Sequence, residues 1–164
     1  KRKEELFNYL GSLPRDLQFF LEVRHPEWFA DAQEQQDMFD AMRSLNIGTV
    51  ITDTAGRRDC AHMNLTVPKA FIRYVGNSLH PTDFTRCDAW VKRMKYWLDK
   101  GLQELYFFMH MHDEATSPEL TVYLVDKLNK ECKLNLIKPE FVKQEKKSLS
   151  QKVNKSSKTS RKSK

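Results

Sequence analysis

The sequence predicts an α/β fold: the C-terminal half of a TIM-type (β/α)8 barrel, with four parallel strands and flanking helices. Three observations carry that prediction. Runs of strand length alternate along the chain with segments of helical period, which is the order of a parallel sheet with right-handed crossovers. Several of the strand runs are almost continuously apolar, as in sheets covered on both faces. The chain has 164 residues, whereas a complete barrel needs about 250. A doubly wound open sheet has the same element order, but neither G-x-G-x-x-G nor G-x-x-x-x-G-K occurs to support a nucleotide-binding version of it.

The elements follow in order. Glu5 to Leu10 reads as a helix already in progress, ended near Gly11 and Pro14. With no initiator Met before it, the N-terminal half of the barrel is expected upstream. Gln18 to Arg24 is the first strand run. Pro26 then sits where a first-turn proline is tolerated, and a helix is predicted from about Glu27 to Leu45, with Trp28, Ala32, Met38, Phe39, Met42 and Leu45 as its apolar stripe. Gly48 precedes a short strand, Thr49 to Thr52, and an irregular segment from Asp53 to Lys69 leads to a third strand, Ala70 to Gly76.

The clearest helix carries Phe84, Cys87, Trp90, Val91, Met94, Trp97, Leu98 and Leu102 at i, i+3, i+4, i+7 spacing, with Gly101 as its stop. A fourth strand, Glu104 to His110, passes to a helix opened by Ser117-Pro118-Glu119, an N-cap followed by a first-turn proline and a dipole-favoured acid. Leu120, Leu124, Leu128 and Cys132 are its buried stripe.

Composition narrows the class. The chain is 40% hydrophobic and 30% charged, as a soluble globular protein is. No apolar run approaches the roughly 20 residues of a membrane span, and the charged N-terminus lacks the core of a signal peptide, so no membrane partner and a cytoplasmic location are expected. Cys60, Cys87 and Cys132 are scattered and odd in number, which argues against disulfides and structural zinc. The net charge of +6 is unevenly placed: residues 143–164 hold nine Lys/Arg and one Glu, leaving 19 basic and 21 acidic residues before them. Residues 1–142 are therefore read as the folded unit and 143–164 as a disordered basic Lys/Ser-rich tail, either solvated or loosely tethering nucleic acid.

Candidate chemistry lies at the C-terminal strand ends, where barrel active sites form. Glu22 and Arg24 share a strand face with Phe20, and His25 follows directly. Charges on a buried strand are costly unless paired with each other or used. Asp53 would emerge at the mouth, with Arg57 or Arg58 folding back over it for proton transfer or anion clamping, unless the loop is only fastened by its hydrogen bonds. Arg73 shares a face with Phe71 and Val75 and needs a carboxylate, Glu22 or Asp53, or a ligand; Asn77 would lie at the rim. His110 and His112 point the same way on a strand, so a divalent metal is possible there with Asp113 or Glu114; two neutral, hydrogen-bonded histidines are the plainer alternative.

These segments resemble a known family. Glu22-Val23-Arg24-His25-Pro26-Glu27-Trp28-Phe29, Thr52-Asp53-Thr54-Ala55-Gly56 and Phe71-Ile72-Arg73-Tyr74-Val75-Gly76-Asn77 look like the YecE-like family (domain of unknown function 72), in order from about Phe19 to Leu128. The resemblance implies a TIM-type barrel without an established activity, of which this chain lacks the N-terminal strands. Relatives often carry a histidine where Val75 stands and asparagines where this chain has His110-Met111-His112.

Three functions are compatible with the residues. The first is an enzyme with a polar anion-binding pocket, with Glu22, His25 and Asp53 catalytic and Arg24, Arg57, Arg73 and Asn77 binding substrate. By analogy of fold it is a hydrolase or isomerase of a phosphorylated or sugar-like compound. The second is a nucleic-acid-binding protein, with or without metal-dependent phosphodiesterase activity, and the third is a partial barrel with no independent activity.

Overall fold

The computed structural model describes residues 3–141. Helix α1 (Lys3–Ser12) leads to strand β1 (Phe20–Leu21), helix α2 (Ala32–Ser44), strand β2 (Gly48–Asp53), strand β3 (Lys69–Gly76), helix α3 (Pro81–Asp99), strand β4 (Glu104–Met111) and helix α4 (Ser117–Cys132). Single 3-10 turns stand at Pro26–Trp28, Arg58–Cys60 and Glu114–Thr116. The strands form one sheet in the order β1-β2-β3-β4, and every neighbouring pair is parallel. Thus the α/β class and the four parallel strands expected from the sequence are present.

Strand alternation sorts the side chains onto two unlike faces. On one face Ile51, Ala70, Ile72 and Tyr74 pack with Trp90, Val91, Met94 and Leu120 of α3 and α4. Leu10, Met38, Phe39 and Met42 of α1 and α2 form a second cluster there with Phe19 and Leu21. Phe20, Val50, Phe71 and Phe108 occupy the opposite, open face. Gly48 is required by this arrangement, because a Cβ added to it would lie 2.3 Å from Cδ1 of the Phe20 ring.

Three local expectations are corrected. The strand predicted over Gln18 to Arg24 pairs only at Phe20–Leu21. Beyond it the Arg24 carbonyl accepts from Arg57 Nη2 at 2.5 Å instead of from a neighbouring strand. The helix predicted from Glu27 to Leu45 is a 3-10 turn and a separate α2, because Asp31 caps a new start by accepting from the Glu34 amide at 2.9 Å. Ser117 is inside α4 rather than its N-cap; that place falls to Thr116, whose side chain makes no cap bond. The tail at 143–164 lies outside the described residues.

Candidate functional site

The open face carries a cleft of about 420 Å³ lined by Phe20, Glu22, Val50, Phe71, Arg73, Phe108 and His110. Strand register arranges these residues in levels. The lower level is aromatic: Phe20 lies against Phe71 at a centroid distance of 5.3 Å, and Phe71 stacks on Phe108 at 4.7 Å with planes 10° apart. In the ladder Thr52 pairs with Arg73, and Arg73 with Phe108, so the Phe108 backbone shares the level of Arg73 while its ring stacks on Phe71 one step below. One step further toward the strand ends, Val75 pairs with His110.

Glu22 is the centre of the polar level. Its Oε1 accepts from the Thr52 hydroxyl at 2.7 Å, and Arg73 Nη1 reaches both carboxylate oxygens at 3.2 Å. Arg24 Nε stands 3.8 Å from the same Oε1. Only Nη1 of Arg73 bonds within the described protein, and the side chain is 37% exposed. No hydrogen bond among the described residues takes up its other guanidinium donors, so the pair holds a carboxylate in place and leaves planar donors for an anion. Of the two carboxylates that the sequence offers Arg73, Glu22 and Asp53, Glu22 is its partner.

Asp53 is elsewhere. It alternates with Thr52 along β2 and therefore faces α3, where it is 1% exposed. Trp90 Nε1 donates to its Oδ2 at 2.7 Å, Arg86 Nη2 lies 2.9 Å from its Oδ1, and Arg58 closes the carboxylate from outside. Arg86 also donates to the carbonyls of Asp53 and Val75, at 3.0 and 3.1 Å, and its guanidinium lies 4.3 Å from the Tyr74 ring centroid. The expectation that Asp53 opens at the mouth is corrected: its face of β2 is buried beneath a helix.

The remaining candidates separate as well. Arg57 pairs with Asp59 at 2.9 Å, which holds that carboxyl below the usual range, so Arg58 and not Arg57 closes over Asp53. His25 is exposed and its Nδ1 caps the turn after β1, accepting from the Glu27 amide at 3.4 Å. Asn77 follows β3, and its backbone N–H donates to Asp83 Oδ2 at 2.8 Å. His112 is exposed beyond the end of β4. Asp113 accepts from the Ala115 amide at 3.1 Å as a turn cap, and His110 faces Glu114. Among the described residues no three His, Cys, Asp or Glu side chains gather as a metal-ion ligand set, so the trio His110, His112 and Asp113 does not form one.

Arg86, Trp90 and Thr52 complete these arrangements and are not among the site residues the sequence points to; Glu114, its alternative to Asp113, is the carboxylate that His110 faces. A signal for Arg86 existed: it falls on the helical stripe of Trp90, Arg93 and Trp97, where a guanidinium buried against the sheet needs a carboxylate.

The fold and cleft define an α/β protein of four parallel strands whose helices leave one polar-topped aromatic face open. The chain belongs to the family described as "Protein of unknown function DUF72", whose model matches residues 1–145. It is similar to the UPF0759 protein YecE of Escherichia coli K12 and of Escherichia coli O157:H7, each 28% identical over 143 residues, covering 76% of this chain and 52% of the relative. Two crystal structures of a DUF72 family protein from Enterococcus faecalis V583 share the fold. Their TM-scores are 0.59 and 0.56 at 12% and 13% identity, covering 85% and 80% of this chain and 55% and 53% of those chains. The chain spans about half the length of the relatives it matches. No helix among the described residues is long and apolar enough to cross a membrane.

Proposed function

We propose that the open face is the ligand-binding side of a barrel enzyme that takes a phosphorylated or sugar-like compound and carries out hydrolase or isomerase chemistry on it. The single observation behind this reading is Arg73, clamped through Nη1 to Glu22 above an aromatic floor, with its other donors in no hydrogen bond among the described residues. A guanidinium held by one edge presents its remaining N–H groups to a phosphate or carboxylate. The rings of Phe71 and Phe108 offer flat apolar surface of the kind on which the C–H face of a sugar rests. Arg24 adds positive charge, and Glu22 serves as general base or as the group that orients Arg73. Asp53 and Arg57 contribute by holding α3 and the loop after β1.

The N-terminal half of the barrel supplies the opposite wall in this reading. Its support is that the chain spans about half of its relatives and that Tyr106 and Phe108, on the open face, are 40% and 47% exposed. Large aromatic surface of that kind marks a binding face.

Calorimetric titration of the chain with sugar phosphates, beside the same sugars without phosphate, tests the proposal. Saturable binding of a phosphorylated member, weakened about tenfold or more in Arg73→Gln, is expected from losing one charge-assisted pair. A panel without saturable binding, or binding indifferent to Arg73→Gln, overturns it.

A further inference from the structure

His110 lines the cleft with Glu22 and Arg73, and its ring is turned toward a carboxylate on the following turn: Nδ1 lies 3.4 Å from Glu114 Oε1. Glu114 is itself held. Its Oε2 accepts from the Ser117 hydroxyl at 2.5 Å, and its Oε1 lies 3.4 Å from the Met111 amide. These bonds, the Ser117 hydroxyl foremost, keep the Glu114 carboxyl below its usual range and therefore ionised at neutral pH. We infer that Glu114 is a positioning residue that fixes His110 as the proton-transfer group of the open-face site. The inference rests on the reading of that face as a ligand site.

An ionised carboxylate accepts hydrogen bonds only, so the neutral imidazole facing it carries its proton on Nδ1. The lone pair is then on Nε2, the ring nitrogen left for the cleft. His110 pairs with Val75, two residues beyond Arg73 on the same side of the sheet, a step of about 6.6 Å along a strand. A ligand anchored on Arg73 by its anionic group would present a proton to His110 from roughly that distance away. Nε2 takes the proton from a ligand O–H or C–H, leaving the electron pair on the ligand. The imidazolium charge is balanced by Glu114, and the same nitrogen returns the proton to ligand or water. The substrate class is thereby narrowed to anions with an acidic proton a few bonds from the charged group, such as phosphorylated hydroxy-aldehydes and ketones.

The test is the tautomer of His110, read from the imidazole 15N shifts of the 164-residue chain near pH 8, where an ordinary imidazole is neutral. His110→Gln assigns the signals. The expected result is the Nδ1–H form in the wild type, retained in Glu114→Gln, whose amide oxygen still accepts, and shifted toward Nε2–H in Glu114→Ala. An Nε2–H ring in the wild type, or a Glu114→Ala spectrum unchanged from it, overturns the assignment. Should the alanine variant fail to fold, the wild-type tautomer and Glu114→Gln decide alone. Because no ligand is present, this outcome is independent of the sugar-phosphate titration that tests the site itself.

Discussion

The indole Nε1 of Trp90 donates to Oδ2 of Asp53 at 2.7 Å, joining α3 to the end of β2 on the helix-covered face. Arg86 meets the same carboxylate and also caps the Asp53 and Val75 carbonyls. The cluster thus fixes the strand ends on which the open-face residues stand.

Removing the centre of that cluster should be costly and removing its outer member should not. Asp53→Ala leaves Arg86 without its main carboxylate in a buried setting, a loss of about 3–5 kcal/mol. The Arg58 side chain is 63% exposed, so Arg58→Ala should cost at most about 1 kcal/mol. Urea denaturation of both variants checks the contrast.

Gly48→Ala tests the aromatic floor. The new methyl would press on the Phe20 ring and the Val67 side chain, 2.3 and 3.1 Å away. Overpacking of this kind costs about 1–3 kcal/mol, and the thermal midpoint should fall accordingly. A midpoint equal to that of the wild type would show that Phe20 does not sit over β2.

His62 should make the fold acid-sensitive. It packs against Phe39 at 4.9 Å and Phe29 at 6.1 Å, and burial pushes its pKa down to about 4, partly offset by a hydrogen bond with the Val50 backbone. Between about pH 6.5 and 4 the unfolded chain binds a proton that the folded chain does not, so stability falls as the pH is lowered through that window. The full loss is about 3 kcal/mol, complete only below the folded value. Denaturation curves at pH 7, 5.5 and 4 should show this dependence in the wild type and a smaller one in His62→Phe.

These predictions depend on features that were unequally legible in the sequence. β3, α3 and β4 stand within a few residues of their predicted limits, because apolar period and glycine stops act locally. The break in the second helix also had a local signal, Asp31 three residues before Glu34, but the apolar stripe from Trp28 runs across it. The face of Asp53 was not legible: β2 is buried throughout, so neither side of it is marked by polarity. Likewise the partner of Arg73 stands 51 residues away, and only the parallel register of β1 to β3 brings Glu22 to it.

The open face should also make the chain self-associate, since the stacked pair Phe71 and Phe108 is only partly covered. Sedimentation velocity across a concentration series should show larger species for the wild type, and fewer for Phe108→Ser.

The most direct measurement of the central claim is a map of where an anionic sugar binds. Fructose 6-phosphate added to 15N-labelled chain should shift the signals of Glu22, Thr52, Arg73 and His110 saturably, and the same shifts should disappear in Arg73→Gln. Shifts confined to residues away from the open face, or signals there that stay unmoved while the sugar binds, would contradict the account.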